Sequence, residues 1–511
     1  MEIKFYGHAC IYIKTSSVSI VTDPWFSISG AFLSTWFQFP DNTELDLTPL
    51  RNADYVVLSH EHQDHFDINF LKTINPRTKI IIPKYTDSYL LETLQHNLTN
   101  EIIVVNSLQK IKLGSDVTFC PVVQSVPIWD DCTLVFETPL GTIVDVNDMK
   151  IIDKDFEWIK NNFTIKHLFI QYSGANWHPF TYDYSSDKKA EIAKQKILNK
   201  YHTIKNLFLQ SGAQNLIPCA GPPCFLNDEH FELNFSDESV FPTQADFYEF
   251  LKREGVYKNV FILMPGDTFD PSKDSTVISE INIRNQAFAN KQKYIESYRE
   301  RRTNIINKIP STLEQPTGSL LERCKNYFEP LVASSLYFRK KINGKLLLIV
   351  TGGINEKIII DFTKEKDSVK LFENESSFYK LEVDSRLFNL ILKKKLTWEE
   401  LFLSLRIKCS RNPDIYNEAL IIFLRFADVN SYKQYEMFDL KKDFSDTFIL
   451  NHEGCSYEVQ KYCPHAMGDL SAGRIIDGCI VCPNHGWAFS LKDGSCVSRN
   501  SNINIKKIIK S

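Results

Sequence analysis

Residues 54–67 read Asp-Tyr-Val-Val-Leu-Ser-His-Glu-His-Gln-Asp-His-Phe-Asp, an apolar run that ends in a cluster of polar side chains. The apolar half predicts a buried strand, and the loop after it carries four potential metal ligands, His60, His62, Asp64 and His65. In such a loop His60 and His62 can face one metal ion while Asp64 and His65 face a second ion nearby. A solvated acidic loop with chance histidines is the alternative. The complete set at the end of a strand favours a dinuclear metal site.

This HxHxDH pattern resembles the metallo-β-lactamase superfamily. Strand-like runs at residues 2–13, 18–22 and 54–59, a hairpin over 133–146 and a helical stretch from 187 to about 210 are consistent with its fold. The resemblance implies an α/β domain in which two mixed sheets lie between helices, an αββα sandwich. We assign Asp64 a catalytic role at the second metal.

The resemblance also implies ligands outside the motif. In the superfamily an aspartate after a hairpin usually bridges both metals, and Asp148 is in the matching place, with Asp145 as the alternative. The usual histidine between the motif and the bridging aspartate is missing from residues 121–130. One metal is then short of a ligand, unless Asp130 or Asp131 replaces the histidine. A shift from nitrogen to oxygen ligands favours iron.

The last histidine ligand is predicted to be His230, in the loop after Cys219-Ala-Gly221. His8 and His178 are weaker candidates, because a single histidine on a loop or near an apolar strand is more often a hydrogen-bonded structural residue. The predicted metal ligands are therefore His60, His62, Asp64, His65, Asp148 and His230.

Near its C-terminal end the chain reads Cys463-Pro-His465 and, after sixteen residues, Cys482-Pro-Asn-His485. Two cysteines and two histidines in this spacing resemble the ligands of a Rieske [2Fe-2S] cluster, in which the thiolates hold one iron and the imidazoles the other. Zinc is the alternative, since CxH and CxxH pairs also chelate zinc. Histidine ligation raises the cluster potential to roughly −150 to +300 mV. The motif therefore predicts electron transfer.

The flanks of the two pairs indicate the type of Rieske domain. Respiratory Rieske proteins carry an additional cysteine near each ligand pair, and these two cysteines form a disulfide. Gly468 and Asn484 occupy those places here. The motif therefore resembles the oxygenase type, which has a lower potential.

Length and composition indicate a large protein of several domains. The 511 residues are enough for about three domains. A net charge of −4 is small for this length and argues against a dedicated nucleic-acid or membrane surface. Met1 opens directly into a strand pattern, with neither a signal peptide nor an apolar run of about 18 residues. We expect a cytoplasmic protein with no nucleic-acid partner and no membrane insertion.

Three domains are predicted. Residues 1–270 form the metallo-β-lactamase-like domain, residues 271–435 a helical and α+β accessory region, and residues 436–511 a small all-β Rieske domain. In the middle region strand runs at residues 345–350 and 357–361 precede two helical stretches. This order resembles sterol-carrier-like accessory domains, and a structural spacer is the alternative.

A Rieske centre and a metallo-β-lactamase motif in one chain resemble the CMP-N-acetylneuraminate hydroxylases, also called CMP-sialic acid monooxygenases. Further similar segments are Thr22-Asp-Pro-Trp-Phe26, Gly30-Ala-Phe32 with Trp36, Leu396-Thr-Trp-Glu-Glu-Leu401 and Arg411-Asn-Pro-Asp-Ile-Tyr416. The domain order differs: the family carries its Rieske domain at the N-terminus, whereas this chain carries the motif at its C-terminal end.

The resemblance implies an iron-dependent monooxygenase. The Rieske cluster would pass electrons to mono- or dinuclear iron in the N-terminal domain, and the small-molecule substrate would be a nucleotide sugar such as CMP-N-acetylneuraminate. A reductase, or a cytochrome b5-like or ferredoxin protein, would be the electron donor. The alternative is a zinc-dependent hydrolase of a phosphodiester or lactone, with the Rieske domain as a redox sensor. The metal content separates the two hypotheses.

Overall fold

The computed structural model describes residues 1–86, 88–126, 130–150, 153–174, 176–278, 281–306, 313–465, 467–483, 486–497 and 501–508. The chain divides into two compact units. The first comprises residues 1–125, 129–175 and 193–308, and the second comprises residues 126–128, 176–192 and 309–511. The predicted ligand His485 lies outside the described residues, as does Asn484.

The strands of the first unit are short, and most are buried. They are β1 (Glu2–Gly7), β2 (Cys10–Lys14), β3 (Ser19–Thr22), β4 (Phe37–Gln38), β5 (Tyr55–Val57), β6 (Lys79–Pro83), β7 (Ile102–Val105), β8 (Ile111–Lys112), β9 (Thr118–Val123), β10 (Cys132–Thr138), β11 (Gly141–Asp145), β12 (Ile165–Gln171), β13 (Asn215–Cys219), β14 (Pro223–Cys224), β15 (Thr268–Asp270) and β16 (Ser275–Val277).

These strands form two large mixed sheets. One has the order β16-β15-β1-β2-β3-β5-β6-β7, and the other has the order β13-β12-β11-β10-β9-β8. Strands β3, β5, β6 and β7 are parallel neighbours, as are β11, β12 and β13. Strand β16, at the edge of the first sheet, lies beyond the domain boundary predicted at residue 270.

Helices lie between the strands along the chain, and their bounds are α1 (Thr48–Arg51), α2 (Ile68–Leu71), α3 (Tyr89–Asn97), α4 (Asp153–Asn162), α5 (Ser186–Ser211), α6 (Gln244–Arg253), α7 (Ile281–Ala289) and α8 (Lys291–Ile306). A 3-10 helix spans Phe231–Asn234. The first residues of α5 belong to the second unit.

The alternation of side chains along β2 shows how the first unit is layered. Ile11 and Ile13 point into a core that they share with Phe136 of the second sheet. Cys10 and Tyr12 point to the opposite face, where a second core packs against α1, α2 and α3. The outer face of the second sheet is covered by α4, α5 and α6. Two sheets enclosed by helices on both sides confirm the predicted αββα sandwich.

The middle of the chain, in the second unit, is an α+β region. Its five-stranded sheet has the order β19-β18-β17-β20-β21, with bounds β17 (Lys345–Thr351), β18 (Glu356–Asp361), β19 (Val369–Leu371), β20 (Tyr379–Asp384) and β21 (Ile407–Arg411). Its helices are α9 (Leu320–Ser334), α10 (Leu336–Ile342), α11 (Ser385–Leu392), α12 (Trp398–Leu403), α13 (Glu418–Phe426) and α14 (Val429–Leu440).

The C-terminal region of the second unit is built from two three-stranded antiparallel sheets, β22-β23-β27 and β24-β25-β26. The strand bounds are β22 (Thr447–His452), β23 (Cys455–Gln460), β24 (Arg474–Ile476), β25 (Cys479–Val481), β26 (Ala488–Ser490) and β27 (Ile505–Ile508). Their shared core contains Cys463, Cys482 and Trp487. The small all-β domain predicted here is confirmed. None of the described helices combines the length and the hydropathy that a membrane crossing requires.

Candidate functional site: a buried ligand cluster and a Rieske motif

In the first unit, loops at the ends of several strands converge on one buried cluster of ligand-type side chains. The motif loop follows β5, Asp23 follows β3 and Asp148 comes just after β11. Because β3 and β5 are parallel, their carboxyl ends meet at one edge of the sheet. Asp131 precedes β10, and His8 lies in the turn between β1 and β2.

The backbone of the motif loop is held in a tight turn. The amides of His65 and Phe66 both donate to the carbonyl of His62, at 2.9 and 2.8 Å. At its end Asp67 caps α2 by accepting from the amides of Asn69 and Phe70. The motif side chains therefore project from a fixed turn.

One group of ligand atoms is formed by His60, His62 and Asp131, whose potential ligand atoms all lie within 4.8 Å of one another. Nε2 of His60 is 2.8 Å from Nδ1 of His62 and 4.0 Å from Oδ1 of Asp131. Burial, together with the neighbouring His65 and His62, lowers the pKa of His60 to about 4. His60 is thus a neutral imidazole, the form that binds metals.

A second group is formed by His8, Asp64 and His65. Oδ2 of Asp64 lies 3.2 Å from Nε2 of His8 and 3.9 Å from Nε2 of His65. Burial alone would raise the pKa of Asp64, but His65 and His8 lower it to about 2. Asp64 is therefore a carboxylate at neutral pH.

Asp148 lies beside the second group, with Oδ1 3.4 Å from Nε2 of His65. Burial would raise its pKa, but His65 and also His60 hold the pKa of Asp148 below its usual value. Conversely, Asp148 and Asp64 raise the pKa of His65 well above its usual value, although burial opposes this. Asp148 thus interacts with a histidine of each group, as a carboxylate shared by two metals must.

The residues fit a pair of metal ions. Nε2 of His65 and Oδ1 of Asp148 are both buried and lack an aligned hydrogen-bond partner among the described residues. Leaving a buried polar atom without a well-aligned hydrogen bond costs up to about 1–3 kcal/mol, which a bound metal would offset. The donors are imidazole nitrogens and carboxylate oxygens, a set that suits iron as well as zinc.

Asp23 forms a third, overlapping group of nearby ligand atoms with His60 and His65, and it bonds His65 of the second group. It is fully buried, and Oδ2 accepts from Nδ1 of His65 at 3.1 Å. The same carboxylate accepts from the amide of Ser59 at 2.7 Å and from the side chains of Ser59 and Asn147. Because Nδ1 of His65 bonds Asp23, its Nε2 is directed at Asp64 and Asp148.

The structure brings five of the six predicted metal ligands together. His60, His62, Asp64, His65 and Asp148 lie in one cluster. His230 is not in any of these groups. Its Nδ1 lies 2.8 Å from Oδ1 of Asn227, and its ring lies near Phe225. Its assignment as a metal ligand stays a prediction.

The structure distinguishes between residues that the sequence left as alternative metal ligands. Of Asp130 and Asp131, the structure groups Asp131 with His60 and His62. Asp145 is buried, and burial followed by the charge of Asp23 raises its pKa well above the usual value. A raised pKa disfavours the ionised carboxylate, which is the form that binds a metal. Asp148 is therefore the better candidate for the bridging position.

Two residues of the cluster were underestimated or missed from the sequence. The sequence gives His8 only as a weaker candidate ligand, and it places Asp23 in a segment similar to the hydroxylase family without assigning it a role. Each stands directly after a strand, with positive φ values of 54° and 34° respectively. A polar residue in a strained conformation at the end of a strand is a signal of function, but its backbone angles are not visible in the sequence.

A partly buried lysine, Lys200, lies close enough to the ligand cluster to interact with Asp148 and Asp131. Lys200 of α5 donates to Oε1 of Gln171 at 2.9 Å. Burial lowers the pKa of Lys200 to about 8, while Asp148 and Asp131 act in the opposite direction. Lys200 therefore adds a positive charge near the cluster.

The Rieske motif forms two loops with the same hydrogen-bond pattern. The amide of Cys463 donates to the carbonyl of Gly468, and the amide of Met467 donates back to Cys463. In the second loop the amide of Cys482 donates to the carbonyl of Trp487, and the amide of Gly486 donates to the carbonyl of Cys482. Met467 and Gly486 both have positive φ, of 56° and 70°. The described residues of the two loops thus form matching turns that begin at Cys463 and Cys482.

The donors in these loops fit a Rieske cluster. The thiols of Cys463 and Cys482 are fully buried. Burial and the adjacent Cys482 thiol raise the pKa of Cys463 well above its usual value, which indicates two close thiols. His465 is also buried and stacks on Trp487, with ring centroids 4.6 Å apart. Three of the four predicted ligands are therefore in one core.

Comparison with known domain families agrees with this architecture. The beta-lactamase superfamily domain matches residues 2–133, the Rv3818-like, SCP2-like domain matches residues 320–438 and the Rieske [2Fe-2S] domain matches residues 424–508. The chain thus carries an N-terminal metallo-β-lactamase domain and a C-terminal Rieske domain. The predicted sterol-carrier-like middle region agrees with the second match.

A similar full-length protein comes from Mycolicibacterium smegmatis. It is described as a Rieske 2Fe-2S iron-sulfur protein and is 29% identical over 518 residues, which cover 98% of each chain. The cytidine monophosphate-N-acetylneuraminic acid hydroxylase of Asterias rubens is 28% identical over 140 residues, 26% of this chain and 21% of that protein. In domain content, the resemblance to CMP-N-acetylneuraminate hydroxylases is confirmed.

Among solved structures, CmlA, a diiron beta-hydroxylase from Streptomyces venezuelae, matches with a TM-score of 0.37 and 14% identity. The match covers 54% of this chain and 54% of that chain.

Proposed function

We propose that this chain is a Rieske-coupled monooxygenase in which the N-terminal cluster holds two iron ions. The observation that carries the proposal is the pairing of two ligand groups at one buried site in a chain that also has a Rieske domain. A hydrolase needs no electron-transfer centre, whereas activation of dioxygen by iron requires electrons.

The two ligand groups would divide the metals between them. His60, His62 and Asp131 would hold one ion, and His8, Asp64 and His65 would hold the other. Asp148 would bridge them. When bound, the iron pair supplies the site for dioxygen binding and reduction, chemistry that belongs to the metal.

The protein's own residues prepare this site. Asp23 orients His65, and burial keeps His60 neutral. The ring of Trp25 contacts His8 edge to face at a centroid distance of 5.0 Å, and Phe32 lies 6.3 Å from His62. These aromatic walls would limit the access of water. A dry site strengthens the electrostatic interactions inside it.

The Rieske domain would supply single electrons. Cys463 and Cys482 would hold one iron of the cluster, and His465 together with His485 would hold the other. A soluble reductase, or a cytochrome b5-like or ferredoxin protein, would reduce the cluster. This assignment is supported by the match to the Rieske family and by the buried thiols.

A nucleotide sugar is the first substrate class to examine. Support comes from the partial similarity to the Asterias rubens protein, whose name identifies a cytidine monophosphate sugar as its substrate. Lys200, close to Asp131 and Asp148, is a candidate contact for an anionic substrate.

A zinc-dependent hydrolase is the second candidate, because the imidazole and carboxylate donors also suit zinc. Metal analysis of anaerobically purified protein tests the choice. The proposal expects about four irons per chain, two in the Rieske cluster and two in the N-terminal cluster. Zinc in the N-terminal cluster, together with hydrolysis in the absence of reductant, would favour the hydrolase. A substrate screen that begins with CMP-N-acetylneuraminate follows.

A further inference from the structure

One cluster ligand of the Rieske domain is held by the preceding SCP2-like region. Nε2 of His465 lies 3.2 Å from Oε1 of Glu418, and the two side chains are 9% and 18% exposed. Glu418 is the first residue of α13. The Nε2 side of His465 is therefore covered by a carboxyl group of the SCP2-like region.

The carboxyl group of Glu418 is fixed in place. The hydroxyl of Tyr435, on α14, donates to Oε1 of Glu418 at 3.1 Å. Asn417 caps the helix by accepting from the amide of Leu420, so that the start of α13 has a defined orientation. The acceptor for His465 is thus positioned by two helices.

The backbone of the ligand loop is held as well. Nζ of Lys442 donates to the carbonyls of Pro464 and His465, at 2.9 and 2.6 Å. The Lys442 side chain is only 2% exposed and is paired with Oδ1 of Asp439 at 2.8 Å. Asp439 lies in α14, the helix that also carries Tyr435. One helix therefore anchors both the loop carbonyls and the carboxyl group.

We propose that Glu418 is a positioning residue for His465 and lowers the reduction potential of the Rieske cluster. Because Nε2 of His465 faces Glu418, Nδ1 would be the nitrogen that holds the cluster iron, and Nε2 would then carry the proton and donate to Glu418. A carboxylate acceptor makes the imidazole a stronger electron donor and stabilises the oxidised cluster. Hydrogen bonds and charge around the cluster are the terms that set its potential.

The inference needs only the Rieske cluster and holds whether or not the chain is an oxygenase. In the redox couple concerned, the oxidised cluster gains one electron. Dithionite supplies this electron in the test. No atom is transferred. The proposal can fail while the oxygenase proposal stands, and the reverse is also true.

The test is a redox titration of full-length protein, followed by electron paramagnetic resonance (EPR). Burial raises the pKa of Glu418 to about 7, so the titration is run well above that pH, where the carboxylate is charged. Under that condition Glu418→Gln keeps the shape and an acceptor oxygen but removes the charge, and Glu418→Ala removes both. Glu453→Gln is the matched control, because Glu453 lies in the same Rieske domain on an exposed turn with its side chain 84% exposed. Histidine nitrogen couplings, measured by pulsed EPR, report the ligand directly.

We expect the potential to rise in Glu418→Gln and to rise at least as far in Glu418→Ala, with changed histidine couplings. The control should match the wild type. Unchanged potentials in both Glu418 variants with a fully loaded cluster would overturn the proposal. So would an equal rise in Glu453→Gln, since the effect would then be general charge. Loss of the cluster in Glu418→Gln would also overturn it, because Glu418 would then be needed for assembly.

Discussion

Asp23 and His65 are joined by a hydrogen bond of 3.1 Å between two fully buried side chains that lie 42 residues apart in sequence. Neither residue is exposed to solvent, and the contact fixes which nitrogen of His65 faces Asp64 and Asp148. The relationship links β3 to the loop after β5 and determines the geometry of the candidate metal site.

The first prediction tests this contact with Asp23→Asn. The amide keeps the shape but loses the charge, so His65 is oriented less firmly. We expect affinity for the second metal to fall by about 10–100-fold, as for other outer partners of metal-binding histidines. Competition with a chelator measures the change.

Asp54→Asn is the control for this substitution. Asp54 lies in the same sheet region and accepts from the amide and the hydroxyl of Ser19, away from the cluster. Its metal affinity should equal that of the wild type. If Asp23→Asn also binds the metal with wild-type affinity, Asp23 does not support the metal site.

The second prediction concerns Asp131, whose carboxylate is grouped with His60 and His62. Asp131→Ala should lose the metal held by His60 and His62, while Asp131→His should retain it because imidazole supplies a replacement donor. Metal content per chain distinguishes the variants. Asp130→Ala is the control and should bind metal normally. Loss in Asp130→Ala but not in Asp131→Ala would reverse the assignment.

The third prediction separates the two centres. His60→Ala removes a ligand of the N-terminal cluster, so metal content should fall while the Rieske EPR signal remains. His96→Ala changes a histidine on α3 of the same unit and should alter neither. A simultaneous loss of both signals in His60→Ala would mean that the two centres depend on each other for folding.

The fourth prediction concerns the cluster thiols. Cys463→Ala should abolish the Rieske signal, because one iron loses half of its thiolate ligands. Cys479→Ala alters a partly buried cysteine of the same domain and should retain the signal. A full Rieske signal from Cys463→Ala would show that the ligand assignment is wrong.

The sequence was sufficient for the features that local pattern determines. Residues 54–67 predict a strand that ends in ligands, and the structure has β5 at Tyr55–Val57, directly before the clustered histidines. The spacing around Cys463 and Cys482 likewise predicted a Rieske domain, which the family match confirms. In both cases the ligands of each motif or pair are only a few residues apart.

Contacts between distant segments could not be predicted in this way. His8 joins Asp64 only because β1 and β5 end at the same edge of the sandwich. Glu418 meets His465 through the packing of an SCP2-like helix on a Rieske loop. Neither contact can be predicted from spacing along the chain, since each depends on tertiary structure.

The central claim is that electrons from the Rieske cluster drive oxygen chemistry at the N-terminal metals. The most direct test measures oxygen uptake and product formation with CMP-N-acetylneuraminate, with and without a reductase, in wild type and in Cys482→Ala. We predict reductant-dependent turnover in the wild type and none in Cys482→Ala, although the variant retains its N-terminal metals. Equal, reductant-independent hydrolysis of a phosphodiester or lactone by both proteins would contradict the account.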